Sequence, residues 1–420
     1  MKVLYFGFNL PEHEYTSAVA TDDGMPAQTQ RFGWALLRAL REVDIDVTTV
    51  STAPVLDFPG NSKLVFRGSG FRDQDVSGVI VPFVNITGLK HLTRYVAFLR
   101  AGDRDAADSR PDAVLVHGVN SALLWSAIRI GGRFAAPVVV IITDPPVLRS
   151  SRDGRVAWQL KRMDGSLIRR ALRRIDAAIV LTEQLATDFA SDVPHLLMEG
   201  IVDVTWSTQP RETRAAGTDP LVVYAGGVSA EYGVLDLLEA IRLAGPKWKL
   251  RIYGRGPAEA LVRSAARESD QLEFFGVVGK EELSSAYASA DVLVNPRPDH
   301  AAFTRYSFPS KILEYMASGT PVVSTKLLGM PADYEPYIIW SDSGPQGLAD
   351  AIARSLLLSP DESATFGSRA QAFAVQVKGP TAQGRRIRDF MESLIENKSA
   401  QGGQRRWTPR RHVPRTLKHE

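Results

Sequence analysis

Residues 303–325 read Phe-Thr-Arg-Tyr-Ser-Phe-Pro-Ser-Lys-Ile-Leu-Glu-Tyr-Met-Ala-Ser-Gly-Thr-Pro-Val-Val-Ser-Thr, a loop, a capped helix and a buried strand in direct succession. Pro309 suits the first helical position, because an N–H there would have no intrahelical acceptor. Gly319 ends the helix, and Pro321 launches the apolar run Val322–Val323. Ser310, Lys311 and Glu314 are spaced to share one helical face near the N-terminus. A helix N-terminus offers unpaired N–H groups and partial positive charge, both of which favour phosphate. Lys311 strengthens that field, and Glu314, a turn deeper, can accept hydrogen bonds from sugar hydroxyls. Phosphate beside ribose points to a nucleotide.

Outward from this stretch, short apolar runs alternate with helical patterns. Val3–Phe6, Ala113–Val116, Val138–Ile142 and Ala178–Leu181 read as buried strands in the first half. Leu221–Tyr224, Leu250–Tyr253, Leu272–Phe275, Val292–Val294 and Pro321–Ser324 repeat the pattern in the second. Helical stretches such as Gln28–Arg41, Val234–Arg242 and Ala258–Glu268 separate them. Buried runs spaced by amphipathic helices predict an α/β chain with parallel sheets covered on both faces. The pattern lapses around Asp203–Pro220, where Ser, Thr, Gly and Pro accumulate. This divides the chain into a first doubly wound, Rossmann-like domain (1–205), a hinge (206–219) and a second such domain (220–380). Thr381–Glu396 is a helical pattern expected to cross back to the first domain, and 397–420 a disordered basic tail. Ligands of such sheets lie beyond the carboxyl ends of the strands, so a central cleft is the expected site.

Several turns of the second domain fit that cleft. Gly226 and Gly227 follow one strand and permit close backbone approach to phosphate. Arg255 stands between two glycines after the next strand. Gly276 and Val277 follow another, in a loop whose backbone can read a base. Arg297 ends the strand Val292–Val294, and Tyr306 and Ser307 lie just ahead of the helix that carries Ser310, Lys311 and Glu314. Parallel topology gathers all of these along one edge, and that convergence carries more than any one motif.

The order Tyr-Ala-Gly-Gly…Tyr-Gly, Tyr-Gly-Arg-Gly, Phe-Phe-Gly, Asn-Pro-Arg, then Tyr-Ser-Phe-Pro-Ser-Lys…Glu-Tyr-Met-Ala-Ser-Gly-Thr-Pro-Val-Val resembles the family-four retaining glycosyltransferases of GT-B architecture, in the branch of bacterial capsule and exopolysaccharide synthesis. The specific match covers Leu221–Tyr334, and the first half matches mainly in layout. The resemblance implies a C-terminal domain that binds a nucleotide sugar and an N-terminal domain that binds the acceptor. It assigns Glu314 to the donor ribose. The family usually has a second glutamate at the position of Tyr306, and an Arg and a Lys where this chain has Gly227 and Tyr232. Lys311 is then the first candidate, and Arg297 the second, to supply positive charge to the diphosphate.

In the first domain His117 follows a buried strand, and the resemblance implies a cleft histidine there that contacts the donor sugar. Asp144, after Val138–Ile142, is a candidate to position the acceptor or act as a weak base, or else a turn cap. Glu199 is a weaker acceptor candidate near the hinge.

Composition sets the remaining bounds. At 420 residues, 44% hydrophobic and 23% charged, the chain has the make-up of a soluble globular protein of two domains. It lacks cysteine, which excludes disulfides and thiolate catalysis and fits a cytoplasmic setting. The N-terminus does not read as a signal peptide, and no apolar run reaches the roughly 20 residues of a membrane span. Arg405–Glu420 carries a local charge of +5, which leaves −2 on the other 404 residues, so nucleic acid is not an expected partner. Arg149–Arg174 has nine Lys/Arg against two Asp/Glu, with Leu160, Met163, Leu167, Ile168, Ala171 and Leu172 at helical spacing. Together with the tail this helix predicts attraction to an anionic membrane, where a lipid-linked acceptor is found.

The expectation is a GT-B retaining transferase that uses a nucleotide diphosphate sugar, with UDP or GDP as the carrier, no cofactor and no metal. Two alternatives use the same cleft: a sugar-nucleotide isomerase or epimerase, and a non-catalytic nucleotide- or glycan-binding module.

Overall fold

The computed structural model describes residues 1–19, 27–146, 154–212, 217–244, 248–299 and 304–400. The tail beyond Ala400 and residues 147–153 of the basic segment lie outside the described residues.

Two sheets organise the chain. In the first, the strand Lys2–Gly7 is central, with Asp46–Ser51 parallel on one side and Ala113–His117 parallel on the other. Beyond Ala113–His117 follow Val138–Ile142, Ala177–Val180 and His195–Leu197, all parallel. Every residue of the strands 113–117, 138–142 and 177–180 is buried, as continuous apolar runs between two helical layers require. The second sheet has the order Leu272–Gly276, Lys249–Tyr253, Leu221–Ala225, Val292–Asn295, Val322–Thr325, Ile339–Ser341, parallel throughout. Each sheet carries separate apolar clusters on its two faces, the mark of a doubly wound domain.

The first sheet departs from a purely parallel design at one edge. Ser69–Asp73 pairs antiparallel with Val76–Ile80 through a tight turn at Gln74 and Asp75, both at positive φ (47° and 60°). A type I′-like turn favours Asn and Gly, so Gln-Asp gives no hairpin signal in the sequence. Asp46–Ser51 was also hidden, because Thr48, Thr49 and Ser51, the last two buried within the sheet, break the apolar run.

The helix Pro380–Ala400 packs on the first domain's helix Ala27–Arg41, burying Ile387 and Met391 among Val3, Leu37 and Leu40. A Cβ on Gly384 would collide with the Ala39 carbonyl, so this crossing depends on glycine. The chain therefore passes between the domains twice, near 200 and near 380. The two passes are hydrogen-bonded: Val202 N–H donates to the Lys378 carbonyl (2.9 Å), and Gln383 Nε2 to the Gly200 carbonyl (3.0 Å). Glu199 belongs to this junction. It is buried, accepts from the Tyr334 hydroxyl (2.8 Å) and pairs with Lys378, which also reaches Asp333 (2.9 Å). The expected contact with an acceptor is corrected: this carboxylate is enclosed and already satisfied by groups of the second domain.

The basic helix runs Arg155–Leu172. It buries Ile168, Ala171 and Leu172, but Leu160, Met163 and Leu167 stay exposed at 40%, 66% and 45%. The expected apolar face is thus only half used by the core.

Candidate functional site

A doubly wound sheet opens a crevice where the strand order reverses. In the second domain the reversal falls between Leu221–Ala225 and Val292–Asn295, whose carboxyl ends lead into Gly226–Gly227 and Pro296–Arg297. In the first it falls between Lys2–Gly7 and Ala113–His117, leading into Asn9 and Gly118.

The glycine turns of the second domain are layered on one another. Gly226 N–H donates to the Tyr253 carbonyl (3.0 Å), Val228 N–H to the Arg255 carbonyl (3.0 Å) and Gly254 N–H to the Gly276 carbonyl (2.7 Å). A side chain on Gly254 would meet the Gly226 carbonyl, and one on Gly256 the Val228 carbonyl. The N–H of Gly226 is therefore engaged within the fold, which corrects its expected role as a phosphate donor. The N–H of Gly227 has no protein acceptor among the described residues. A Cβ on Gly227 would press on the Tyr232 ring at 2.7 Å, and that ring in turn stands 4.6 Å from the Arg297 guanidinium. Gly276 has φ 71° and is buried, its carbonyl taken by Gly254 N–H, whereas Val277 beyond it is 69% exposed, so the loop is open to solvent only past the glycine.

Arg297 is half-buried between the Tyr232 ring and Ser307, donating from Nη1 to the Ser307 Oγ at 3.0 Å. Burial lowers its pKa, and the neighbouring Tyr232 and Tyr224 partly offset that. The structure thus joins Arg297 and Ser307, ten residues apart, in one contact.

The helix that carries the carboxylate is shorter than expected. It spans Lys311–Ala317, and Pro309 precedes it in a tight turn whose carbonyl accepts from Ile312 N–H (2.9 Å). Ser310 sits at the N-cap without a side-chain cap, and the N–H groups of Ser310 and Lys311 have no protein acceptor among the described residues. Tyr315 fixes the helix in place: its hydroxyl accepts from Ala225 N–H (2.8 Å) and donates to the Ala225 carbonyl (2.9 Å). That pins the helix start beside the first glycine turn. Lys311 Nζ contacts Glu314 Oε2 at 2.7 Å, with side-chain exposures of 29% and 19%, and lies 5.9 Å from the Trp206 ring. Cation and carboxylate neutralise each other here while both remain reachable from solvent.

Tyr306 does not face this group. Its hydroxyl donates to Asp188 Oδ2 of the first domain (2.7 Å), and its ring meets Phe189 at 5.9 Å and packs on the first domain's core. Burial, then the bond to Asp188, raises its pKa. The expected donor contact of Tyr306 is corrected to a contact between domains. Tyr306→Phe removes one hydrogen bond, a change of about 1 kcal/mol in the closed arrangement. Roughly fivefold weaker donor KM with an unchanged single-turnover rate is the expected result. A hundredfold loss in the chemical step would instead put the phenol among the reacting groups.

Across the cleft, His117 is almost wholly buried at 1% exposure, under the Phe32 ring (5.2 Å). Tyr5 donates to Asn9 Oδ1 (2.6 Å), and its hydroxyl oxygen lies 2.9 Å from His117 Nδ1, which engages that ring nitrogen and leaves Nε2 for another partner. Burial lowers the His117 pKa to about 4. A ring with so low a pKa is neutral and a poor base near pH 7, so of the catalytic and sugar-contacting roles expected of His117 only hydrogen bonding is left. Asp144 is exposed at the end of its strand and accepts from Thr143 Oγ1 (2.9 Å), with no base-forming partner among the described residues. Arg255 approaches the cleft from the second domain. The Tyr15 hydroxyl, raised in pKa chiefly by burial, feels both Arg255 and Arg31 of the first domain. Tyr5, Asn9, Arg31 and Asp188 give no motif in the sequence. Only the tertiary fold brings them to the cleft.

The fold agrees with that of known proteins. Residues 29–195 match the model of the glycosyl transferase 4-like domain, and residues 219–357 that of the glycosyl transferases group 1. A putative colanic acid biosynthesis glycosyltransferase of Escherichia coli, WcaL, is 28% identical over 180 residues, covering 40% of this chain and 44% of that protein. The chain thus spans about half the length of the curated relatives it matches. Among solved structures, sucrose-phosphate synthase from Thermosynechococcus elongatus superposes with a TM-score of 0.65 at 16% identity, covering 94% of this chain and all of that one. Anabaena HepE in complex with UDP gives 0.59, also at 16% identity, with the same coverage. This chain belongs to the group 1 glycosyltransferases and has their two-domain GT-B fold.

Proposed function

We propose that the chain transfers a sugar, with retention of anomeric configuration, from a nucleoside diphosphate sugar to a glycan or lipid-linked glycan acceptor. The observation that carries this is the convergence at one crevice of Gly227, Arg297 with Ser307, the open N–H groups of Ser310 and Lys311, and the Lys311–Glu314 pair. Donor groups and cations suit a diphosphate, and a carboxylate one turn away suits ribose hydroxyls. In transfer, the bond from the anomeric carbon to the diphosphate oxygen breaks as the acceptor hydroxyl oxygen bonds to that carbon and passes its proton to the departing phosphate oxygen. Negative charge grows on the leaving group, where the helix start and Lys311 stabilise it without a metal ion. Glu314 is released from Lys311 to hold the ribose, and the exposed backbone at Val277, just past the buried Gly276, is offered to the base. His117 Nε2 hydrogen-bonds a hydroxyl of the transferred sugar. Asp144 and the first domain's crevice hold the acceptor.

HepE is a protein of this fold described with UDP and UDP-glucose, which supports UDP as the carrier, with GDP the second choice. The colanic acid relative supports a place in cell-surface polysaccharide assembly, on the cytoplasmic side of a membrane that holds the acceptor. Thermal-shift titration with UDP, GDP and ADP tests the site directly. A nucleotide at about 100 times its Kd adds about 2.7 kcal/mol to stability, several degrees in Tm. Donor alone must give no altered sugar nucleotide. If none of the three nucleotides moves Tm, the donor-site assignment is wrong.

A further inference from the structure

Twenty large hydrophobic residues are substantially exposed among the described residues, and half of them fall in two short stretches: seven between Leu56 and Leu92, three between Leu160 and Leu167. The structure brings the two together at one rim of the first domain. Asn85 Nδ2 holds the loop by donating to the carbonyls of Leu56 (3.0 Å) and Lys63 (3.1 Å), and Val65 pairs with Val84 in a two-stranded ribbon. Lys90, at the start of the helix Leu89–Ser109, bonds Asp57 (2.8 Å) and so locks that helix to the loop. One residue on, His91 contacts Asp164 of the basic helix (3.6 Å), which ties the start of the helix Leu89–Ser109 to the basic helix. The helices concerned start at the carboxyl, cleft-facing edge of the sheet.

We propose that this composite surface docks on a bilayer with anionic headgroups. Phe58, Val65, Ile86, Leu92, Met163 and Leu167, exposed by 44–66%, supply apolar side chains that nothing in the fold covers. Scattered single apolar residues need no explanation, but a joined patch marks an interaction surface. Charge selects the occupant. Residues 154–174 hold seven Lys/Arg and one Asp, and Lys63 and Arg67 flank the ribbon, whereas Asp57 and Asp164 are both held by internal contacts. Apolar tips ringed by cations match the boundary of an anionic membrane, where cations meet headgroups and side chains enter the acyl edge. No helix among the described residues is long and apolar enough to cross a membrane, so the contact proposed is at its surface. The basic helix alone does not make this surface: most of its apolar area comes from the loop and ribbon. None of this depends on the transfer reading.

Co-sedimentation of the full chain with vesicles tests it. Vesicles of equal parts phosphatidylcholine and phosphatidylglycerol should bind at least about tenfold more protein than phosphatidylcholine alone, and binding should fall with salt. Leu92→Glu with Met163→Glu should lower binding to the anionic vesicles about tenfold while leaving the nucleotide thermal shift intact. Leu64→Glu with Ile86→Glu serves as an independent pair should the first fail to fold. Full binding by both pairs would overturn the proposal and place the affinity elsewhere, such as in the basic residues 405–420. Absence of vesicle binding, with a wild-type dimer that the Glu variants dissociate, would make the surface an interface between copies of the chain.

Discussion

Lys311→Ala is expected to lose about 10²–10³ in kcat, the loss typical when one preorganised group is removed from a developing anion. The argument rests on where Lys311 sits. Its ammonium lies 2.7 Å from Glu314, on a helix start whose N–H groups have no protein acceptor, and Tyr315 holds that start beside Gly226 and Gly227. A diphosphate in this crevice would draw Lys311 from Glu314, and Glu314 would then be free for the ribose. The two residues should respond differently. Charge on the leaving group grows toward the transition state, so loss of Lys311 should appear in kcat. Ribose contacts are alike in ground and transition states, so Glu314→Ala should act mainly on donor KM. Lys311→Arg keeps the charge but not the ammonium's compact geometry, and only partial recovery is expected. Circular dichroism would show an intact fold in all three. Turnover of Lys311→Ala within a few-fold of wild type would remove this lysine from the chemistry and leave Arg297, already oriented by Ser307 and the Tyr232 ring, as the diphosphate's cation.

The parts of this molecule that were legible in its sequence are those with a local cause. Continuous apolar runs flanked by amphipathic helices gave the two parallel sheets, because a strand buried on both faces has no polar alternate positions. The glycine turns were visible as glycine, but their meaning changed. Gly254 and Gly256 are there for layer-on-layer packing of the turns, and Gly226 uses its N–H within that stack. What stayed hidden were contacts with no sequence spacing. Tyr306 and Asp188 are 118 residues apart, Tyr5 and His117 112, and Glu199 and Lys378 179. Glu199 shows the limit well. Near a hinge an isolated glutamate reads as an acceptor contact, and only the fold reveals the lysine and the phenol that enclose it. Tyr306 is the converse case, where a departure from a family pattern looked like a weakened site and the structure gives the side chain a different neighbour.

That junction carries the second large effect, on stability. Lys378→Met keeps the apolar stem over Tyr334 and Phe373, whose rings lie 5.1 and 5.2 Å from the ammonium, but removes the charge that balances Glu199. Glu199 and Lys378 side chains are 1% and 5% exposed, so water cannot replace the lost partner without opening the junction. Removing one member of a buried pair typically costs about 3–5 kcal/mol, because the other is left as an uncompensated charge. The Tyr334 hydroxyl still donates to Glu199, which places the expected loss toward the lower end of that range. Glu199→Gln with Lys378→Met removes both charges and should recover most of the loss, since desolvation of the pair disappears with it. Urea unfolding followed by tryptophan fluorescence measures this well, because Trp206 lies at the same passage between the domains. The two variants separate a structural from a catalytic role. If Glu199 served the acceptor, the double variant would regain stability but not activity. If it serves only to join the domains, both should return together. A Lys378→Met midpoint equal to wild type would show that the junction contributes nothing to holding the domains in register.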